Sequence, residues 1–420
     1  MTTDCPPAMI RKDRLLERFL RYVRIETTAD AGSETYPSSS GQWKLGGELV
    51  RDFHRMGLAD AHQDSHGLVH ATIPATTDTS GPALAFFAHM DTSPEASGFN
   101  VRPRVIEAYD GRPIVLESGE IIEPDEIDGS PDLRGHTLVV TDGKTLLGGD
   151  DKAGVAILME AAHTLIENSH LSHGPVHLCL TCDEEIGSGT DHIDLNRFDA
   201  IAGYTLDGGG RGVIDVETFS ADAATVMFKG RNIHTSIAKG RMKNAIRVAA
   251  DFIASMPRDA MTPETTEGRE GFIHVHEVHG GVSETFVQLI LRSFDEADLE
   301  TQAELIRQRA ADAIANAAGV TAEISIRRQY RNLGEGLAKV PEAVEFAVEC
   351  YREMGIEPIR EIVRGGTDGS QLTEKGLPTP NLSSGQYNIH STSELASVDD
   401  MMFATEHMLR LCQRWGREAV

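Results

Sequence analysis

At 420 residues the chain is long enough for two domains, each with its own core. Hydrophobic residues make up 40% and charged residues 25%, the balance of a globular protein rather than a disordered one. With 39 Lys and Arg against 65 Asp and Glu, the formal charge of -26 argues against nucleic acid or an anionic membrane surface as a partner.

The segment 1–14 lacks the apolar core of a signal peptide. No run of ~18 apolar residues occurs, so no transmembrane helix is expected. The five cysteines, Cys5, Cys179, Cys182, Cys350 and Cys412, are odd in number and without framework spacing, which points to a reducing cytoplasm. Cys179 and Cys182 lie inside the apolar run 176–182, which favours strand residues over a redox pair. Residues 14–23 alternate charged and apolar side chains at helical spacing. Residues 29–41 read as a loop and 43–56 as a second amphipathic helix. Strands are expected at 68–73 and 83–88, the second apolar enough for the centre of a sheet. The stretch 92–135, rich in Pro, Gly and acids, reads as a long irregular excursion, and such loops are usually functional. A strand near 136–141, a helix opening at Asp150, and strands at 176–182 and 201–206 follow. Strands alternating with helices predict an α/β domain with a mostly parallel sheet covered on both faces.

The pattern changes near residue 217. Strand 221–229, helix 243–256, strands 272–280 and 285–294, helix 296–318 and strand 320–328 run in the order βαββαβ, a ferredoxin-like unit complete in itself. After about residue 330 the α/β character returns, with helix 341–354, strands 359–363 and 379–383, and helix 396–415. The expected organisation is a catalytic domain in two segments, 1–216 and 331–420, with an inserted domain, 217–330, that hinges as a lid.

The chemistry gathers around Leu147-Gly148-Gly149-Asp150-Asp151-Lys152-Ala153-Gly154. Two carboxylates stand between glycines at the head of an amphipathic helix. They could simply cap it and complement its dipole. Other acids and imidazoles keep them company: His89-Met90-Asp91, Asp183-Glu184-Glu185, Asp207 and His390. Three of these sites follow short apolar runs, where open α/β sheets place metals and substrates. Asp150 is read as a carboxylate that bridges two metal ions. One ring nitrogen of His89 can bind a metal while Asp91 accepts a hydrogen bond from the other. Three successive acids repel one another unless something cationic sits among them. Glu185 is read as a ligand and Glu184 as general base and acid. His390 is the least obvious ligand by spacing. Nitrogen and oxygen donors without cysteine suit zinc, with cobalt or manganese also fitting.

With His89-Met90-Asp91-Thr92-Ser93-Pro94, the 147–154 stretch, Asp183-Glu184-Glu185-Ile186-Gly187 and Asp207-Gly208-Gly209, the chain resembles the di-zinc carboxypeptidase/aminoacylase metallopeptidase superfamily. Thr141-Asp142-Gly143-Lys144-Thr145-Leu146-Leu147, Thr266-Glu267-Gly268, Arg364-Gly365-Gly366-Thr367-Asp368-Gly369 and Gly385-Gln386-Tyr387-Asn388 are similar to its peptidase T, or aminotripeptidase, branch. The resemblance runs from about residue 10 to 415. It implies that His89, Asp150 and Asp207 hold one zinc and Asp150, Glu185 and His390 the other. It implies Glu184 as the base, Asp91 as the partner of His89, and a cis Asp150–Asp151 peptide. It further implies that His234 stabilises the oxyanion from the smaller domain. Arg292, Arg364 and Asn388 would contact the peptide, the two arginines at its carboxylate. The chain departs from the usual pattern after His234, with Thr235-Ser236 for Pro-Gly, and after His390, with Ser391-Thr392-Ser393-Glu394 for Gly-Lys-His-Glu.

The implied activity is that of a cytoplasmic, zinc-dependent aminopeptidase that releases the N-terminal residue from tripeptides. Its partners would be short peptides, with neither nucleic acid nor membrane, and a homodimer is left open. A dipeptidase, carboxypeptidase or N-acyl-amino-acid hydrolase on the same scaffold is the alternative. A non-catalytic binding module would have no use for Glu184 beside the ligands.

Overall fold

Residues 9–76 and 81–418 are described by the computed structural model, so Cys5 and most of the segment 1–14 lie outside the described residues. The chain divides into two units. Unit 1 runs to Val216 and resumes over Glu335–Glu361 and from Thr367; unit 2 comprises Glu217–Gly334 and Ile362–Gly366. The return therefore differs from the expected boundary at residue 330. Hydrogen bonds explain it: Phe219 N donates to Val363 O at 3.0 Å, and Asn332 N to the Ser220 side-chain Oγ at 2.9 Å.

Unit 1 is built on an eight-stranded sheet. Four central strands, Val176–Thr181, Ala83–His89, Ala200–Gly208 and Asn381–Ser383, pair in parallel in that order. Antiparallel strands flank them, Val69–Ile73 on one side and Val213–Thr218 on the other. Ala83–His89 is apolar and buried almost throughout, as a strand at the centre of a covered sheet must be. The helix Gly149–Glu167 packs against Ala83–His89 and Ala200–Gly208, and its residues 149–162 are all buried. A helix with no wet face is a core helix. Helices Lys12–Tyr22 and Val398–Trp415 pack on it in turn. Glu160 is fully buried in that contact, where it accepts from Arg11 N at 3.0 Å, Arg14 Nε at 2.7 Å and a terminal nitrogen of Arg18 at 2.9 Å. A buried charge is tolerated only when partnered in this way.

The 92–135 stretch is more ordered than expected. Arg104–Ile106 joins Leu138–Val140, Leu395–Ser397 and Gln386–Tyr387 in a four-stranded side sheet, so the strand expected at 136–141 belongs there and not to the main sheet. Tyr109, Ile114, Leu116, Ile122 and Leu133 supply that sheet with a small core of its own. Cys179, Cys182, Cys350 and Cys412 are buried and free, and burial pushes the Cys179 and Cys182 thiols up.

In unit 2, strand Ser220–Lys229, helix Ala245–Ser255, strands Phe272–Gly280 and Glu284–Ser293, helix Glu296–Ala315 and strand Thr321–Tyr330 follow the βαββαβ order. The four strands are antiparallel, with Ser220–Lys229 and Glu284–Ser293 in the middle. Glu284–Ser293 alternates buried and less buried positions along its length. Its inner residues Val287, Leu289 and Leu291 share a core with Val248 and Phe252 of one helix and Leu299 and Ile306 of the other.

Candidate metal and catalytic site

The parallel register brings chemistry-bearing strand ends level. His89 stands opposite Thr181, and Phe87, two residues before it, opposite Thr205, two residues before Asp207. Asp183, Glu184 and Glu185 follow the first of these neighbours after one residue, Cys182. The fourth contribution comes from the turn ahead of the helix Gly149–Glu167. Gly148 adopts φ +77°, which a side chain would resist, and Asp150 and Asp151 have non-helical dihedrals around a cis peptide bond. Further in, a Cβ on Gly154 would lie 2.2 Å from Leu206 O, so glycine lets the helix close onto the strand that carries Asp207.

Asp150 is the hub. Its Oδ1 lies 3.0 Å from His89 Nε2 and its Oδ2 3.2 Å from His390 Nε2. His89 Nε2 is also 3.7 Å from Asp207 Oδ1, and His390 Nε2 is 2.9 Å from Glu185 Oε2. The structure thus brings His89, Asp150, Glu185, Asp207 and His390 together. Asp91, fully buried, sits 3.3 Å from His89 Nδ1 and accepts from the backbone N–H groups of Glu184 and Glu185, both at 3.1 Å. Asp151 is close enough to His89 and Asp207 to join a metal site. Its oxygens, however, accept from His89 N at 3.2 Å and Gly154 N at 3.0 Å, so it serves as a brace for the strand end and the helix start.

The electrostatics follow from crowding acids in a buried place. Burial, then Asp150, raises Asp207 to about 6 and Glu185 to about 7. Glu184 is pushed well above the usual carboxylate range, by burial first, with Asp368, Asp207 and Glu185 adding. Hydrogen bonds to Asp150 and Glu185 raise His390 to about 11. Burial opposes ionisation of Asp150, yet the hydrogen bonds from His390 and His89 hold it well below the usual range. A divalent cation would replace the shared protons and relieve the mutual repulsion. The donor set fits one: two imidazoles and three carboxylates with no thiolate, and Glu185 Oε1 buried without a hydrogen-bond partner.

Several supporting residues carried no assignment in the sequence reading. Asp368 is buried, accepts from Thr181 Oγ1 at 2.8 Å, and is raised to about 7 chiefly by burial. Asp207 is held by Gln386 Nε2, which donates to its Oδ1 at 3.1 Å, and by Asn381 Oδ1, which accepts from its backbone N at 3.0 Å. Gln386 lies in the Gly385-Gln386-Tyr387-Asn388 motif and Asn381 in the expected strand 379–383, yet nothing in the sequence says which carboxylate they face. Asn388 is engaged nearby: its Oδ1 accepts from Asp128 N at 3.0 Å and its N donates to Asp128 Oδ2 at 2.6 Å.

The remaining expected residues belong to unit 2. His234 is exposed and caps a short 3-10 turn, with Nδ1 accepting from Ser236 N at 3.2 Å. Arg292 donates to Gln329 Oε1 at 3.1 Å and lies over the Tyr330 ring. Arg364 donates to Gly268 O, Glu270 O and Thr266 Oγ1 at 3.0, 2.8 and 2.8 Å, over the rings of Phe219 and Phe272. It thereby ties two of the motifs shared with aminotripeptidases to each other.

Comparison with known proteins bears on this arrangement. The model of the peptidase family M20/M25/M40 matches residues 128–414. A relative named Peptidase T from Geobacillus kaustophilus (strain HTA426) is 42% identical over 410 residues, covering 97% of this chain and all of its own. A tripeptidase structure from Staphylococcus aureus subsp. aureus Mu50 is 25% identical with a TM-score of 0.75, covering 98% of this chain and 100% of that one. A dinuclear metal-binding peptidase of the M20 family from Bacillus subtilis shares the fold, with a TM-score of 0.65 at 15% identity, over 99% of this chain and 100% of that one.

Proposed function

The chain belongs to peptidase family M20/M25/M40, and from that premise we propose that it is a zinc-dependent aminopeptidase that releases the N-terminal residue from tripeptides. The observation that carries the chemistry is Asp150, whose two carboxylate oxygens face different imidazoles, His89 and His390. His89, Asp150 and Asp207 would hold one ion, and Asp150, Glu185 and His390 the second. When bound, such a pair supplies Lewis acidity toward the scissile carbonyl and the attacking water. The other tasks fall to side chains of the chain itself. Asp91 fixes the backbone of Glu184 and Glu185 and stands beside His89, so one carboxylate orients the base and a ligand together. Glu184 takes a proton from the attacking water and passes it to the leaving amine. Burial raises its proton affinity, which suits it to that transfer.

The tripeptide preference is supported by the end-to-end likeness to Peptidase T. Arg292 and Arg364 are assigned to the peptide carboxylate, which a guanidinium matches bidentately, and His234 to the oxyanion. Asn388 is assigned to contact with the peptide, from a loop that its bonds to Asp128 hold in place. The free, buried cysteines fit a reducing cytoplasm. No described helix is long and apolar enough to cross a membrane. The test is a panel of di-, tri- and tetrapeptides, free and end-blocked, assayed with zinc, cobalt or manganese. Tripeptides with free ends should be cleaved fastest, and amidating their C-terminus should raise KM. Preference for dipeptides or N-acylated amino acids would move the chain to another hydrolase activity on this scaffold.

A further inference from the structure

Glu394 is a carboxylate only 1% exposed. Its Oε2 accepts from the backbone N–H groups of Leu147 at 2.7 Å and Gly148 at 2.8 Å, and its Oε1 from that of Asp150 at 3.0 Å. These three hydrogen bonds grip the turn that aims the Asp150 side chain. The approach is close: a Cβ on Gly149 would come 3.1 Å from Glu394 Oε1.

Glu394 also lies four residues beyond His390. Residues 388–394 form the loop of a hairpin whose strands, Gln386–Tyr387 and Leu395–Ser397, pair Tyr387 with Leu395. The loop is bonded within itself. Ser391 Oγ donates to Asn388 O at 2.6 Å, Ser393 N donates to Ser391 Oγ at 3.2 Å, and Glu394 N to Ser391 O at 3.4 Å. Ser391 and Ser393, which depart from the usual aminotripeptidase pattern, therefore make the loop one piece. His390 and Glu394 are carried by that piece together.

We infer that Glu394 is a positioning residue that clamps the His390 loop onto the Asp150 turn and so sets the separation of two donors to one ion. The inference rests on the two-ion reading above. Asp207, on the other ion, has supports of its own in Gln386 and Asn381. Asp150 serves both ions but His390 only one, so loss of the clamp should fall mainly on the ion shared by Asp150, Glu185 and His390.

The experiment titrates metal-free, full-length wild type, Glu394→Gln and Glu394→Asp with cobalt(II). Calorimetry reads affinity, visible absorption reads coordination, and circular dichroism verifies folding. Wild type should take up two equivalents; if it takes none, the two-ion reading fails and the inference falls with it. Gln turns an amide N–H₂ toward backbone N–H groups, so one equivalent should bind ~10–100-fold more weakly, with an altered cobalt spectrum. Asp keeps the charge on a shorter arm and should lose less. A carboxylate that only stabilised the fold would lower the melting temperature of the metal-free variants and leave both affinities and the spectrum at wild-type values, and that result overturns the inference. If Glu394→Gln does not fold, Glu394→Asp decides alone: weaker binding with a changed spectrum upholds the clamp, and wild-type binding overturns it.

Discussion

Asp183, Glu184 and Glu185 are three consecutive acids with three tasks. Asp183 accepts from Ser38 N and Gln42 Nε2, both at 2.6 Å, and anchors the strand end. Glu185 reaches His390, and Glu184 is the proposed base. Glu184→Gln should keep its metal content and lose ~10²–10⁴-fold in kcat, the usual size of acid–base catalysis. Glu185→Gln should lose metal instead. Elemental analysis beside kcat separates the two, and a fully active Glu184→Gln would move the base elsewhere. These acids were legible in the sequence because they end a buried apolar run, where charge is out of place without a purpose. Asp368 was not legible in the same way. It stands in a quoted motif, but its task comes from Thr181, 187 residues away, and only the folded chain brings the two together.

Helices and central strands were legible because their apolar spacing is strong over many residues. Val213–Thr218, Asp368–Glu374, Gln386–Tyr387 and Leu395–Ser397 were not, because they are short or carry acids. In Val213–Thr218 the buried Asp215 breaks the apolar pattern, and its partner, Asn381 Nδ2 at 2.8 Å, lies 166 residues away. Between the helices Val398–Trp415 and Glu342–Glu353, His407 gives a pH dependence. Its Nε2 donates to Ala347 O at 2.9 Å and its ring stacks on Tyr351 with centroids 3.6 Å apart. Burial lowers it from 6.5 to about 3. The unfolded chain therefore takes up this proton first, and stability falls as pH drops from about 6.5 toward about 3. His407→Gln, which keeps an N–H donor but cannot titrate, should lose less stability than wild type between about pH 7.5 and about pH 5. Urea midpoints at the two pH values check this, and equal losses would place the acid sensitivity in other groups.

Across the whole molecule, all five proposed ligands and the proposed base lie in unit 1, while His234, Arg292 and Arg364 lie in unit 2. The βαββαβ order of unit 2 was legible because alternating strands such as Glu284–Ser293 flank strongly periodic helices. Its proposed part in the reaction rests on His234. As an oxyanion donor, His234→Ala should lower kcat by ~10²–10³-fold with metal content unchanged, and wild-type turnover would leave unit 2 without a part in the chemistry. The central claim is the pair of ions gathered on Asp150. It is tested most directly by the metal content of reconstituted protein, followed with activity as a chelator is added. The account predicts close to two zinc equivalents per chain, with activity lost as they are withdrawn. Stoichiometry near zero, with peptide hydrolysis unchanged by the chelator, would contradict it.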